Sequence, residues 1–319
     1  MNTTAIAIDI GGTAIKYGLT DTTGAVLWEE TIPTPRALPE ALVQAVLGCI
    51  RTARSAAHAH PPTCVGIGTP GLVDSEKGVV IGGAGQLPGW EAIPLSDIIA
   101  RETGLPAFLD NDANLMGLGE YTFGQNTRVT NAIFFTLGTG IGGAIFINGQ
   151  LYRGSRNAGG ELGCFPFHHR GRQGYWEDFA SVKALIAAYN AQKSPGAPAV
   201  ESAKTIFEQA AAGDPAAATV IAENIDLVGQ GIAGYINIFN PDRIIIGGGI
   251  SAAQSGYVDR IREAAFQYAL KECCSGVELV AASLGNRAGF IGAGYFALNH
   301  QSGTELEDTK VWPPHHKNT

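Results

Sequence analysis

Residues 5–19 read AIAIDIGGTAIKYGL. Apolar residues run up to Asp9, two glycines and a threonine follow, and a second apolar run opens at Ala14. The pattern is strand, glycine turn, strand, with a buried strand over 5–10 and a partner over 15–19. A turn made of Gly11, Gly12 and Thr13 offers backbone N–H groups with no Cβ in the way, so it suits an anion such as phosphate. Asp9, at the strand end beside that turn, is a hard oxygen donor placed to hold Mg²⁺ through water, or else a carboxylate that caps the turn. Thr13 either donates its hydroxyl to a phosphate or closes a local turn, and Lys16 either faces the phosphates or alternates outward.

The second half of the chain starts again in the same way. Ala132–Leu137 is a strand by pattern, Gly138-Thr139-Gly140 a turn, and Gly143–Ile147 a strand ending at Asn148-Gly149. The repetition points to an internal duplication. Gly138 to Gly143 matches GxGxxG, but a dinucleotide fingerprint opens a helix, and here AIFING continues as an alternating strand. Two facing glycine hairpins would instead grip one polyphosphate from both sides. A third glycine cluster, Gly247-Gly248-Gly249, follows the apolar strand 243–246.

Between these motifs, 25–28, 64–67 and 107–109 read as strands. Helical spacing marks 39–57, 113–120, 215–239, 257–274 and 288–298. Residues 68–74 (GTPGLVD) read as a loop, 192–202 as an exposed loop and 301–319 as a loose polar tail. Asp110, Asn111 and Asp112 stand at a strand end, where open α/β sheets place ligands and where a following helix also wants a cap.

With 319 residues, 45% hydrophobic and 16% charged, the chain can bury the cores of two domains. A net charge of −8 argues against nucleic acid as a partner. No apolar run is long enough to span a bilayer, so no membrane partner is expected. Five cysteines, an odd number in a long chain, do not form a disulfide framework and fit a reducing cytoplasm. Cys273-Cys274 reads as a buried helix end, and His315-His316 as an incidental polar pair.

The ordered set DIGGTAIK (9–16), GTPGLVD (68–74), LDNDANLMGLGE (109–120), LGTGIGGAI (137–145), GGELG (159–163) and NPDRIIIGGGIS (240–251) resembles the ROK sugar kinases. The resemblance runs from residue 6 to about 298. It implies an α/β, actin-like ATPase (ribonuclease H-like) fold, with two domains flanking a nucleotide cleft. The smaller domain would hold 1–112 plus 288–300, and the larger 113–287. It implies ATP-dependent phosphorylation of a hexose hydroxyl, with Asp112 as general base. Gly71, Asn111, Asp112, Glu161 and Glu177 would bind sugar. Gly11, Gly12, Thr13, Gly138, Thr139, Gly140 and Gly247–Gly249 would bind nucleotide, and Asp9 its Mg²⁺. A homodimer is expected. The family also contains repressors with a helix-turn-helix ahead of DIGGT; with Asp9 nine residues from the start, the expectation here is a kinase.

One stretch departs from the family. Most members carry a histidine after GE(L/I)G and then CxCGxxGC, which together bind zinc. Cys164, His168, Arg170 and Tyr175 stand at those positions, and arginine and tyrosine are poor zinc ligands. No zinc is expected. Phe165, Phe167, Tyr175 and Trp176 would brace the loop by packing instead. Glucose is the default sugar; mannose, fructose, an N-acetylhexosamine or a β-glucoside stay open. Two alternatives remain: a catalytically poor sugar-binding protein that keeps the fold, and a kinase using another donor such as polyphosphate.

Overall fold

Two five-stranded sheets with the same strand order organise the chain. The computed structural model describes residues 3–303 apart from 37, 58–59, 86, 125–128 and 195–197. The first half supplies β1 (Thr4–Ile10), β2 (Ala14–Asp21), β3 (Val26–Pro33), α1 (Pro39–Ala56), β4 (Pro62–Thr69), β5 (Leu72–Asp74), β6 (Val79–Gly82), α2 (Leu95–Thr103), β7 (Ala107–Asn111) and α3 (Asp112–Gly119). The second supplies β8 (Ala132–Leu137), β9 (Ile141–Ile147), β10 (Gln150–Leu151), β11 (Pro166–His169), β12 (Arg172–Tyr175), α4 (Glu177–Ala180) and α5 (Val182–Ala191). It continues with α6 (Ala203–Ala211), α7 (Pro215–Phe239), β13 (Arg243–Gly247), α8 (Gly249–Ala253), α9 (Tyr257–Tyr268), α10 (Lys271–Cys274), β14 (Glu278–Ala281) and α11 (Ala288–Gln301).

The sheet orders are β3-β2-β1-β4-β7 and β10-β9-β8-β13-β14. In each, a central strand pairs antiparallel with the next strand across a glycine turn and parallel with a later one. The duplication read from the two hairpins is therefore present in the topology. Gly138–Gly140 leads into β9 and not into a helix, as the AIFING pattern requires.

The Ala/Ile alternation of β1 has a packing reason. Ile6, Ile8 and Ile10 face a core shared with Val46 and Ile50 of α1. Ala5 and Ala7 face the other way, toward α11. Small residues there let α11 approach to backbone contact: a Cβ on Gly66 would lie 1.9 Å from the Ala293 carbonyl oxygen. On the far side of α11, a Cβ on Gly292 would lie 1.8 Å from the Leu115 carbonyl oxygen of α3. A core of Ala7, Leu115, Leu118, Phe134, Phe146 and Phe290 joins the two sheets through these two helices. A separate core holds Phe135, Trp176, Ile232 and Ile246 beneath α7.

Several sequence expectations need correction. Residues 257–274 form two helices and not one, because Leu270 N–H is taken by the Asn237 side chain (2.9 Å) and leaves the helical ladder. Cys273 and Cys274 are half-exposed on the short second helix, not buried. GTPGLVD is not all loop: Leu72–Asp74 pairs with Val79–Gly82 as a short hairpin. The strand expected over 25–28 extends to Pro33 along β2. Within 192–202, Val200 is buried and both its backbone groups bond to the Asn190 side chain, at 2.8 Å each. The expected tail begins as the end of α11 at Gln301, and from 304 on it lies outside the described residues. His315-His316 lies there too. Helix α7, by contrast, has the bounds expected from its spacing: Asp214 caps it through Ala216 N–H (2.9 Å), Pro215 opens it, and Asn240 ends it with φ 41°.

Substituting Gly292→Ala is expected to destabilise the protein by about 3 kcal/mol, since a methyl group has no room between α11 and α3. Gly234→Ala, in the middle of α7 with nothing near its Cβ position, is expected to be neutral or slightly stabilising. Urea unfolding of the two variants tests the contrast.

Candidate active site

Three neighbouring side chains at the end of β7 have three different environments. Asp110 is buried, and its Oδ2 accepts two bonds from Arg153, from Nε at 3.0 Å and Nη2 at 2.5 Å. Its Oδ1 accepts Asn111 N–H at 2.7 Å and Asn114 Nδ2 at 3.0 Å. Asn111 caps α3: its Oδ1 accepts Asn114 N–H (3.0 Å) while its Nδ2 donates to the Gly71 carbonyl (2.9 Å). Asp112 accepts Ala113 N–H at 2.9 Å through Oδ1. Burial, and next the nearby charge of Asp9, push the Asp112 carboxyl up to about 6. A carboxylate raised in this way suits proton transfer near neutral pH.

Asp9 closes the floor on the other side. Its carboxyl is held above the usual carboxylate range by burial, an effect opposed by the charge of Lys16. Glycines make room around it: a Cβ on Gly289 would lie 3.0 Å from its Oδ2, and one on Gly68 3.8 Å from its Oδ1. The half-buried Asp9 carboxylate is a hard oxygen donor that a divalent cation such as Mg²⁺ would fit. Lys16 reaches across to the second half, donating from Nζ to the Asn286 carbonyl at 2.8 Å.

Glu161 and Glu177 extend this line of acids. The charges of Asp112 and Glu177 add to desolvation in raising the Glu161 carboxyl. Cys164 lies against it, Sγ at 4.0 Å from Oε2. Glu177 opens α4 and accepts Ile141 N–H at 2.9 Å through Oε2. That oxygen lies directly under the glycine turn, where a Cβ on Gly140 would be 2.5 Å away. The carbonyl of Gly138 in turn accepts Val182 N–H at 2.9 Å. Gly248, with φ 102°, presses on the same sheet end, and a Cβ there would meet the Leu137 carbonyl oxygen at 2.1 Å. The other hairpin is pinned by Gly11 N–H to the Ala14 carbonyl (2.9 Å) and by Thr34 Oγ1 to the Gly11 carbonyl (2.7 Å).

Asp9, Asp112, Glu161 and Glu177 thus form one continuous series that ends at Gly140, with the Gly11–Thr13 turn two residues beyond Asp9. Gly71, with φ 102°, touches the series through Asn111. Pattern reading missed Arg153, Asn114 and the grip of Glu177 on Ile141; only Asn114, inside DNDAN, carried a local signal. A cavity of about 500 Å³ between α1 and α2, lined by Val43, Leu47, Ile93 and Ile98, contains none of these acids.

The 164–176 loop is built by packing. β11 and β12 pair from Pro166–Tyr175 to His169–Arg172. Phe165 stacks on Trp176 with centroids 5.4 Å apart and meets Phe167 and Tyr235 edge-on, while Phe167 packs on Phe179. Tyr175, expected in this brace, is exposed; Tyr235 and Phe179 pack in its place. His169 bonds Glu223 through Nε2 at 2.8 Å, and Arg170 pairs with the same carboxylate at 3.1 Å. Arg170 and Tyr175 supply no zinc-type donor, and His169 is already paired, so the residues present do not fit the family's four-ligand zinc site.

Residues 5–300 match the ROK family profile. The glucokinase of Thermotoga maritima is 35% identical over 305 residues, covering 90% of this chain and 95% of that one. A ROK family glucokinase from Streptomyces griseus, solved with glucose and AMPPNP, superposes with TM-score 0.78 at 32% identity, over 94% of this chain and all of that one. The ROK hexokinase of Thermus thermophilus gives TM-score 0.80 at 30% identity, over 94% and 100% of the two chains. With its duplicated sheet topology, its paired glycine hairpins and a profile match along nearly its whole length, the chain belongs to the ROK family and has the actin-like ATPase fold.

Proposed function

We propose that this ROK carbohydrate kinase transfers the γ-phosphoryl group of ATP to a hydroxyl of a hexose, glucose being the first to test, with Asp112 as general base. One observation carries the assignment. Of the two aspartates at the end of β7, Asp110 has both oxygens committed to neighbours, whereas Asp112 is raised to about 6 and faces the other acids. The relatives' glucokinase names and the glucose and AMPPNP complex support the substrates.

In this reading the sugar lies between Asn111, Glu161 and Glu177, with the Gly71 backbone beside it. Carboxylates suit a sugar because one group accepts hydrogen bonds from two hydroxyls. Asp112 takes the proton of the attacking hydroxyl as the bond to phosphorus forms. The Gly11–Thr13 and Gly138–Gly140 turns hold the phosphates through the N–H groups of Gly12, Thr13, Thr139 and Gly140, those of Gly11 and Gly138 being bonded within their own turns, and Gly247–Gly249 lies on the adenosine side. Mg²⁺, which would neutralise charge on the phosphoryl oxygens, would be held by Asp9 through water. Much of the rate then comes from alignment and charge stabilisation. The cleft would separate a domain of 1–112 plus 288–300 from one of 113–287. We also propose a cytoplasmic homodimer without resident zinc. The five free cysteines fit a reducing compartment, and no described helix is long and apolar enough to cross a membrane.

A coupled ADP-release assay over a panel of sugars tests the function. Turnover with at least one hexose is expected. Sugar binding without ADP would favour a binding protein, and turnover only with polyphosphate another donor. Metal analysis of purified protein is expected to find no stoichiometric zinc. Asp112→Asn is expected to lower kcat by about 100-fold or more while folding normally; near-normal turnover would remove Asp112 as base. In the native enzyme kcat/KM is expected to fall as pH drops through about 6, because the base is then protonated.

The same variant has an opposite effect on stability. A carboxyl whose pKa rises from 3.8 to about 6 on folding costs stability when ionised, about 3 kcal/mol at about 1.4 kcal/mol per unit. The cost is fully present above the folded value and vanishes below the unfolded one. Asp112→Asn is therefore expected to be more stable than the parent at pH 8, with the gain shrinking as pH falls from 6 toward 4. Denaturant midpoints across that range would show it.

A further inference from the structure

The ion pair between Arg153 and Asp110 lies at the end of β7, beside Asn111 and Asp112, and takes no part in the chemistry proposed above. Arg153 follows β10, on the loop that leads to Glu161. Asp110 belongs to β7 of the other sheet. The pair is well shielded, with the Arg153 side chain 21% exposed and that of Asp110 1%. The guanidinium also lies over the Phe296 ring of α11, 5.6 Å from its centroid. One side chain therefore ties together the first sheet, the closing helix and a loop of the second half.

The way the bonds are divided gives the pair a specific consequence. Both guanidinium donors go to Oδ2 of Asp110. This leaves Oδ1 for Asn111 N–H and Asn114 Nδ2, and the bonds to the two oxygens together hold the carboxylate in place. Asn114 N–H in turn bonds Asn111 Oδ1. The Asp110–Asn111 peptide and the first turn of α3, which opens at Asp112, are thus oriented from Arg153. At its other end the residue governs the loop: its carbonyl accepts Gly159 N–H at 2.8 Å, and a Cβ on Gly159 would meet the Arg153 carbonyl carbon and Gly154 N at 2.9 Å each. Glu161 follows two residues after that pinch. A buried ion pair gains little stability over an apolar pair of the same shape, so stability alone is a weak reason for its presence.

We infer that Arg153 is a positioning residue: its two-pronged bond to Asp110 sets the strand end bearing Asp112 at a fixed distance from the loop bearing Glu161. The inference rests on the reading of Asp112 as base. Misplacing a reacting group by about 1 Å costs on the order of 100-fold in rate. Losing the link should thus lower kcat and leave the KM for ATP nearly unchanged.

Three variants test it: Arg153→Met, Arg153→Lys, and the double variant Arg153→Met with Asp110→Asn. The single Met variant leaves a buried carboxylate unpaired and is expected to lose stability. The double variant removes both charges and is expected to recover the wild-type melting temperature to within a few degrees. Its kcat per folded molecule is expected to stay at least about tenfold low, with the KM for ATP within about twofold of wild type. Arg153→Lys keeps the charge but loses the second prong, and its kcat is expected to fall between the double variant and wild type. Loss of less than about tenfold in the double variant, or its failure to regain stability together with full activity of Arg153→Lys, overturns the inference. Asp112→Asn, measured alongside, separates the two levels. Normal turnover there fails the base assignment, whereas an inactive Asp112→Asn beside a fully active double variant fails only the positioning role.

Discussion

Backbone-to-backbone packing of α11 between β4 and α3 is the constraint on which the rest of the molecule depends. At Gly66 and Gly292 a single methyl group would collide with a facing carbonyl oxygen. Side chains could not be inserted there without driving the closing helix outward. The same helix carries Gly289, which leaves room for the Asp9 carboxylate, and Phe296, over which the Arg153 guanidinium lies. Close packing therefore sets both the distance between the sheets and the width of the acid-lined floor between them. Interiors packed to crystal-like density transmit such constraints because they have no slack to absorb a shift.

On that floor, burial has different consequences for acids that are close in sequence. Asp110 is out of water but receives four donors, from Arg153, Asn111 and Asn114, so its charge is compensated. Asp112 is half-buried, with one backbone N–H as partner and Asp9 as a nearby like charge, so ionisation is penalised. The difference is one of partners more than of depth. It separates a carboxylate that fixes structure from one able to accept a proton near neutral pH.

Much of this was legible in the sequence, and the reasons are local. Strand, glycine turn, strand is a short-range pattern, so both hairpins could be read from Asp9-Ile-Gly-Gly-Thr13 and Gly138-Thr-Gly140. Helix α7 showed in its helical spacing over 215–239, and the structure ends it within those bounds. Asn111 as a cap was one of the readings open to any Asn at a strand-to-helix junction, and it is the one realised through Asn114 N–H. What failed to show was everything set by partners far along the chain. The break between α9 and α10 depends on Asn237, more than thirty positions upstream of Leu270. The commitment of Asp110 depends on Arg153, forty-three positions away, in a stretch, LYRGS, that has no pattern of its own. Short strands such as Leu72–Asp74 and Glu278–Ala281 carry too few residues for a period to emerge.

The 164–176 loop shows how the same physical task can be met by a different chemistry. A structural zinc ion contributes on the order of 10 kcal/mol where a small domain has little else to fold around. This loop is not in that position, because Trp176 is fully buried, donates from Nε1 to the Leu227 carbonyl at 2.8 Å and fills the space over Gly231. Phe165, Phe167, Phe179 and Tyr235 then join into one aromatic network, each good pair adding about 1 kcal/mol beyond its buried area. An anchor already set in the core of the second sheet needs only a few such increments to hold a short hairpin. Glu177 is the next residue after that anchor, so the packing that braces the loop also fixes the carboxylate touching the Gly138–Gly140 turn. Arginine at 170 and tyrosine at 175 are thus compatible with an ordered site, because the position of Glu177 is set by Trp176 and not by the tip of the hairpin.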